Sequence, residues 1–221
     1  MRNLLKKSDT KSLRAEAIAT ELGYLWSNLL QRGATEVHRS IGFVAIGDDE
    51  GSNTLTANLA LFLGSKGLRV ALVEASLRGG AFASVFQATA TPGLAEVLAG
   101  DAVLRDALRR QVAPGVDLVP AGEAKDPFWA FAGDGMRKVV QKAGADRDLV
   151  LVDVPSLNRA PEAGFVVGSL DAVVLVVEAN RHHADVVRRN LRILRSLGTP
   201  VLGTVASELA HEVPTLISKL V

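Results

Sequence analysis

The chain reads as an α/β protein, a doubly wound and mostly parallel sheet held between two layers of helices in a three-layer arrangement. Three observations predict this. Short apolar runs recur at 41–46, 70–75, 116–120, 149–154, 172–178 and 200–205, and runs without polar alternation suit strands covered on both faces. Segments of helical composition separate most of them, and alternating strand and helix argues for crossover connections in a parallel sheet. Finally, 221 residues that are 48% hydrophobic and 22% charged, with formal net charge +1, describe one globular unit large enough for a substantial core.

Taken in order, residues 1–10 are polar and basic. Residues 12–31 follow with Leu22, Leu25, Trp26, Leu29 and Leu30 at helical spacing, which predicts a docking helix ahead of the core. The chain therefore divides into a tail and docking helix, 1–38, and a single domain, 39–221. Strand 41–46 runs through a polar loop into a helix carrying Leu55, Leu59, Ala60, Leu61 and Leu63. Strand 70–75 turns polar at its end, and helices are expected at 93–99 and 103–111 before strand 116–120. A helix at 135–143 precedes strand 149–154. The longest apolar stretch, 164–179, is broken by Ser169 and Asp171 and contains strand 172–178. A helix at 184–197, strand 200–205 and a C-terminal helix at 213–220 complete the pattern, with no internal repeat or low-complexity segment.

Composition excludes several classes. The chain has no Cys, so it has neither a disulfide framework nor a thiolate metal site. Its near-neutral balance carries no nucleic-acid footprint. The N-terminus lacks a signal-peptide apolar region, and no apolar run approaches the roughly 20 residues that span a bilayer. A cytoplasmic location is expected.

The loop Gly47-Asp48-Asp49-Glu50-Gly51-Ser52-Asn53-Thr54 lies between strand and helix in P-loop order. A working P-loop cradles phosphates with backbone N–H groups, reaches the outer ones with a Lys and follows with a Ser/Thr hydroxyl for Mg2+. Here Ser52 and Asn53 occupy those last two positions, Gly51 is retained, and Thr54 falls one place late for the metal. Charge-assisted hydrogen bonds contribute about 1.5 to 3 kcal/mol, so loss of the Lys alone weakens nucleotide binding roughly ten- to a hundredfold. Asp48, Asp49 and Glu50 would add repulsion against a polyphosphate. The loop is expected to cap its own helix, with Ser52 or Asn53 as N-cap.

Two further acids end apolar strands, Glu74 and Asp153, at the sheet edge where open α/β proteins build their sites. Asp153 could hold a metal or a metal-bound water; the plainer reading makes both acids caps for neighbouring helices. Arg181, Arg188, Arg189, Arg192 and Arg195 make one helix basic, read first as a solvated face and second as a partner or membrane contact. His182 and His183 read as surface residues. Trp26, Phe128, Trp129 and Phe131 read as packing residues, the last three forming a docking patch if exposed.

The strand-loop-helix and the strands ending at Glu74 and Asp153 fall in the order of the deviant-Walker P-loop ATPases, a MinD- and ParA-like NTPase fold. Within that group the chain resembles the cytoplasmic domain of bacterial tyrosine kinases (BY-kinases) of capsule and exopolysaccharide assembly. The most specific stretch is Thr91-Pro92-Gly93-Leu94-Ala95-Glu96-Val97-Leu98-Ala99-Gly100 followed by Pro114-Gly115-Val116-Asp117-Leu118-Val119-Pro120-Ala121-Gly122. The resemblance implies a nucleotide site at Gly51, Ser52, Asn53, Thr54, Glu74 and Asp153. Yet Ser52 and Asn53 stand for the family's Lys and Ser/Thr, Glu74 and Ser76 stand for two acids, and only Asp153 is unchanged. The family's arginine-bearing oligomerisation motif would fall near residues 21–28, where there is no arginine, and its C-terminal tyrosine cluster is absent, Tyr24 being the sole tyrosine.

The expectation is a catalytically degenerate BY-kinase-like protein, with no catalytic residue and no cofactor. It would act as a binding or regulatory component of exopolysaccharide biosynthesis and export, of capsule or holdfast type. The implied partner is an inner-membrane polysaccharide co-polymerase or export protein, which would place the chain peripherally at the inner membrane; a homo-oligomer is also considered. Two alternatives stand beside it. One is an active Mg-ATP-dependent ATPase or protein tyrosine kinase with a non-standard site; the other is a MinD-like accessory factor for cellulose synthesis or pilus assembly.

Overall fold

The computed structural model describes residues 7–47, 51–179 and 181–207. The acids at 48–50 and the helix expected at 213–220 lie outside these residues. Helix α1 (Lys7–Gln31) leads into β1 (Ser40–Ala45), α2 (Ser52–Ser65) and β2 (Val70–Glu74). Three short helices follow, α3 (Phe82–Val85), α4 (Leu94–Ala99) and α5 (Leu104–Ala107), then the hairpin β3 (Arg109–Ala113) and β4 (Val116–Val119). The remainder is α6 (Pro127–Ala130), α7 (Gly135–Gly144), β5 (Leu149–Val154), α8 (Ala163–Val167), β6 (Ala172–Glu178), α9 (Ala184–Ser196) and β7 (Val201–Ser207).

The seven strands form one sheet in the order β3-β4-β2-β5-β1-β6-β7, parallel except for β3. Alternation along each strand sends side chains to two separate cores. Ile41, Phe43, Val70, Leu72, Leu149 and Leu151 face α1, α2 and α3, with Leu22, Leu29, Leu59, Leu63 and Phe82 packed on them. Val44, Val73, Val150, Val152 and Val154 face the opposite layer, meeting Leu94, Met136, Val140, Val166 and Leu194. By the same pleat, Glu74 and Asp153 project toward the α2 and α3 layer.

One expected helix is not formed as such. Residues 103–111 do not form a single helix: α5 ends at Ala107, and Arg109–Ala113 turns back antiparallel to β4. The two-residue connection Pro114-Gly115, with Gly115 at φ 72°, closes this hairpin. Gly115 accepts a hydrogen bond from Val70 N–H, and the turn rides so close to Gly64 of α2 that a Cβ there would strike the Pro114 carbonyl.

The paired motifs 91–100 and 114–122 are explained by the same kind of close approach. Leu94 and Ala95 N–H, at the start of α4, donate to the Pro120 and Ala121 carbonyls at 2.7 and 2.9 Å, and a Cβ on Gly93 would collide with the Gly122 backbone. Glu96 reaches back to accept from Gly93 N–H (2.7 Å) and across to accept from Glu123 N–H (3.0 Å). Burial opposes ionisation of Glu96, but those hydrogen bonds outweigh it and hold its carboxyl below the ordinary glutamate range. The motif thus fastens α4 onto the end of β4.

Candidate functional site

At the C-terminal edge of the parallel strands β1, β2 and β5, strand register sets Glu74 beside Asp153, and the start of α2 brings Ser52 to Asp153. Gly51 occupies the position before α2 with φ 75°, a left-handed conformation that favours glycine. The expected side-chain cap is not formed. Gly51 itself is the N-cap, and Ser52 is already the first helical residue, its hydroxyl donating to Asp153 Oδ1 at 3.3 Å. Asn53 folds onto the next residue, its Oδ1 accepting from Thr54 N–H at 2.7 Å and from the Thr54 hydroxyl at 3.3 Å. Ser52 is thus turned sideways to the sheet, and Asn53 and Thr54 satisfy each other.

Asp153 is a register partner of Glu74 on the adjacent strand, so two carboxyl groups stand abreast. Both are buried, at 4% and 2% exposure. Glu74 is fully engaged by backbone: Oε1 accepts from Ala81 N–H (2.5 Å) and Phe82 N–H (2.9 Å), and Oε2 accepts from Ala121 N–H (3.1 Å). It therefore ties the start of α3 and the end of β4 to β2. Burial pushes its carboxyl upward, and the hydrogen bonds from Phe82, Ala81 and Ala121 oppose that push. For Asp153, burial first and the Glu74 carboxylate second raise the pKa to about 8, with the Ser52 hydroxyl pulling the other way. Burial and the Glu74 carboxylate both favour the protonated form of Asp153.

An ion pair with no counterpart among the sequence expectations lies near the same edge. Arg78 binds Glu162 through both guanidinium and carboxylate arms, at 2.8 and 3.2 Å. Glu162 is 1% exposed and Arg78 is half-exposed. Nothing local in the sequence signals this contact, because the partners are 84 residues apart.

A separate concavity lies away from these acids. A groove of about 910 Å3 runs between α1, α2 and the β6-β7 edge, lined by Leu22, Leu25, Leu55, Leu202 and Val205 among others, and neither Glu74 nor Asp153 lines it. The strand, loop and helix order that positions ligands in open α/β folds lies instead at Gly51, Ser52 and Asp153.

Set against a magnesium nucleotide, this donor set fits poorly. A hydroxyl stands where a P-loop has its ammonium at 52, the side chain at 53 is an amide bound to its own neighbour, Glu74 is occupied by three N–H groups, and the Asp153 carboxyl is buried beside Glu74 with its pKa raised. A protonated carboxyl is a weak ligand for a hard cation or its water.

The sheet order, the strand-loop-helix beneath Gly51 and the strand-end acid at Asp153 define the class, a P-loop NTPase-like α/β protein. The solved structure of the cell-division ATPase MinD from Pyrococcus furiosus shares this fold with a TM-score of 0.69, at 23% identity over 79% of this chain and 74% of that one. The kinase domain of the Escherichia coli tyrosine kinase Etk superposes with a TM-score of 0.80, at 22% identity, covering 86% and 75% of the two chains.

Sequence similarity narrows the class. Tyrosine-protein kinase CpsD of Streptococcus agalactiae is 24% identical over 180 residues, 80% of this chain and 78% of its own. Putative tyrosine-protein kinase EpsB of Ralstonia nicotianae is 28% identical over 160 residues, 72% of this chain but only 21% of that longer protein. No protein-family model matches. The chain is thus similar in sequence to bacterial tyrosine-protein kinases and shares their P-loop NTPase-like fold. No helix among the described residues is long and apolar enough to cross a membrane.

Proposed function

We propose that this chain is a catalytically degenerate BY-kinase-like protein, one that works by binding rather than by phosphoryl transfer. Its role is a regulatory or scaffolding component of exopolysaccharide biosynthesis and export, partnered by an inner-membrane co-polymerase or export protein. The observation that carries this reading is Ser52. It stands where a phosphate-binding Lys belongs, and its hydroxyl donates to the buried Asp153. Support also comes from Glu74, whose oxygens serve the backbone of α3 and β4. No phosphoryl-transfer step is assigned to any residue.

Calorimetric titration of the purified chain with Mg-ATP and Mg-ADP tests the proposal. No heat of binding at millimolar nucleotide is expected. Micromolar binding would overturn it and favour an active ATPase or kinase with a non-standard site, with turnover by the native chain and an Asp153→Ala variant as the next comparison.

A further inference from the structure

Helix α9 places Arg188, Arg192 and Arg195 on one face at i, i+4 and i+7, with Arg189 flanking it about 100° round the helix. All four are exposed, while Val187, Leu191 and Leu194 pack into the core from the opposite face. Asp185, the only acid in the helix, pairs with Arg188 at 3.1 Å. Among the described residues, Arg189, Arg192 and Arg195 have no carboxylate partner.

Apolar side chains are exposed beside this stripe. On α9 itself Ile193 is 37% exposed and Leu197, just after it, 38%. Leu197 lies against Gly164 of α8, where an added Cβ would be 3.7 Å from its side chain. The next residue, Phe165, is 42% exposed and stacks edge-on with Phe128 at 5.4 Å; Phe128 in turn contacts Trp129, which is 69% exposed. The C-terminal end of the basic helix thus continues through α8 to an aromatic cluster on α6.

From this geometry we infer that the face formed by α9, α8 and α6 binds an anionic lipid surface directly, independently of any membrane partner and of the nucleotide reading. Unpaired arginines attract an acidic headgroup layer, and their long stems lie along apolar surface. Exposed Trp, Phe, Leu and Ile side chains gain by entering the boundary between headgroups and acyl chains, where Trp is favoured. A nucleic-acid backbone would use the arginines and leave those apolar groups in water, and the whole-chain charge of +1 supplies no wider basic field.

Co-sedimentation of the full chain with vesicles of phosphatidylcholine, with and without phosphatidylglycerol, tests the inference. Binding is expected only to the anionic vesicles, and it should weaken as salt rises. The double variant Arg189→Gln/Arg192→Gln removes two of the arginines that face the headgroups and should bind roughly thirtyfold more weakly. In a Trp26→Phe background, where Trp129 is the sole tryptophan, bromine-labelled acyl chains should quench its emission. Absence of vesicle binding, equal binding to neutral vesicles, a double variant indistinguishable from the native chain, or an unquenched Trp129 would each overturn the inference. Preferential binding to duplex DNA would do so too, assigning the stripe to polyanions instead.

Discussion

The two edges of the sheet handle their acids in opposite ways. At the N-terminal edge Asp171, Asp148 and Asp117 each meet a cation or a strand start. Asp171 accepts from Arg39 and Ser40 N–H at 3.0 and 2.8 Å, fixing the entry to β1. Asp148 pairs with Arg69 at 2.7 Å across the starts of β2 and β5. Asp117 binds the buried Arg147, which also donates to the Ala143 carbonyl. At the C-terminal edge, Glu74 is held by backbone N–H groups, and Asp153 stands beside it with a serine hydroxyl as its hydrogen-bond partner. The difference teaches what each edge is for. One is an ion-paired scaffold, and the other is the strand edge where open α/β folds position ligand chemistry, here with Ser52 beside Asp153.

The edges therefore respond to pH with opposite signs. The Arg69 hydrogen bond holds Asp148 below the ordinary aspartate range. Its contribution is present above the unfolded pKa and is lost as pH falls through the folded one. Asp153 is raised to about 8, so between about 4 and 8 the folded state binds the extra proton and stability declines as pH rises.

Four substitutions would break or sharpen this contrast. The largest loss is expected for Asp117→Ala, which strands Arg147 at 8% exposure; chemical denaturation should show about 3 to 5 kcal/mol of destabilisation. Glu74→Ala leaves the N–H groups of Ala81, Phe82 and Ala121 without their acceptor. It should cost about 1 to 3 kcal/mol, with hydrogen exchange accelerating at the start of α3. Asp153→Asn should remove a decline of up to about 1.4 kcal/mol per pH unit on the way to pH 8, leaving a flatter stability profile than the native chain. The smallest effect belongs to Arg69→Ala, where the pair is 64% and 36% exposed; it should lower stability by less than about 1 kcal/mol.

Much of the fold was legible because covered parallel strands advertise themselves as uninterrupted apolar runs, and Glu74 and Asp153 are marked as polar residues ending such runs. β3 was not, because Val103, Leu104, Leu108 and Val112 carry helical spacing while the backbone of Arg109–Ala113 obeys the Pro114-Gly115 turn. The site was legible only as a set of positions. Which atoms Glu74 binds depends on Ala121, 47 residues away in the chain, and Ser52 reads as a cap because sequence alone does not show Gly51 taking that place in a left-handed conformation. The Arg78–Glu162 pair and the exposed Phe165 likewise arise from tertiary packing, which joins α6, α8 and the end of β2 across segments with no local signal.

The most direct test of the contrast between the edges is a carbon-detected NMR titration of the Asp153 side-chain carboxyl in the intact protein, with Asp148 as the internal comparison. Asp153 should titrate near 8, and Asp148 below the ordinary aspartate value. An Asp153 carboxyl that is fully ionised at pH 6 would contradict it, leaving that edge with an anion able to serve a metal-bound nucleotide.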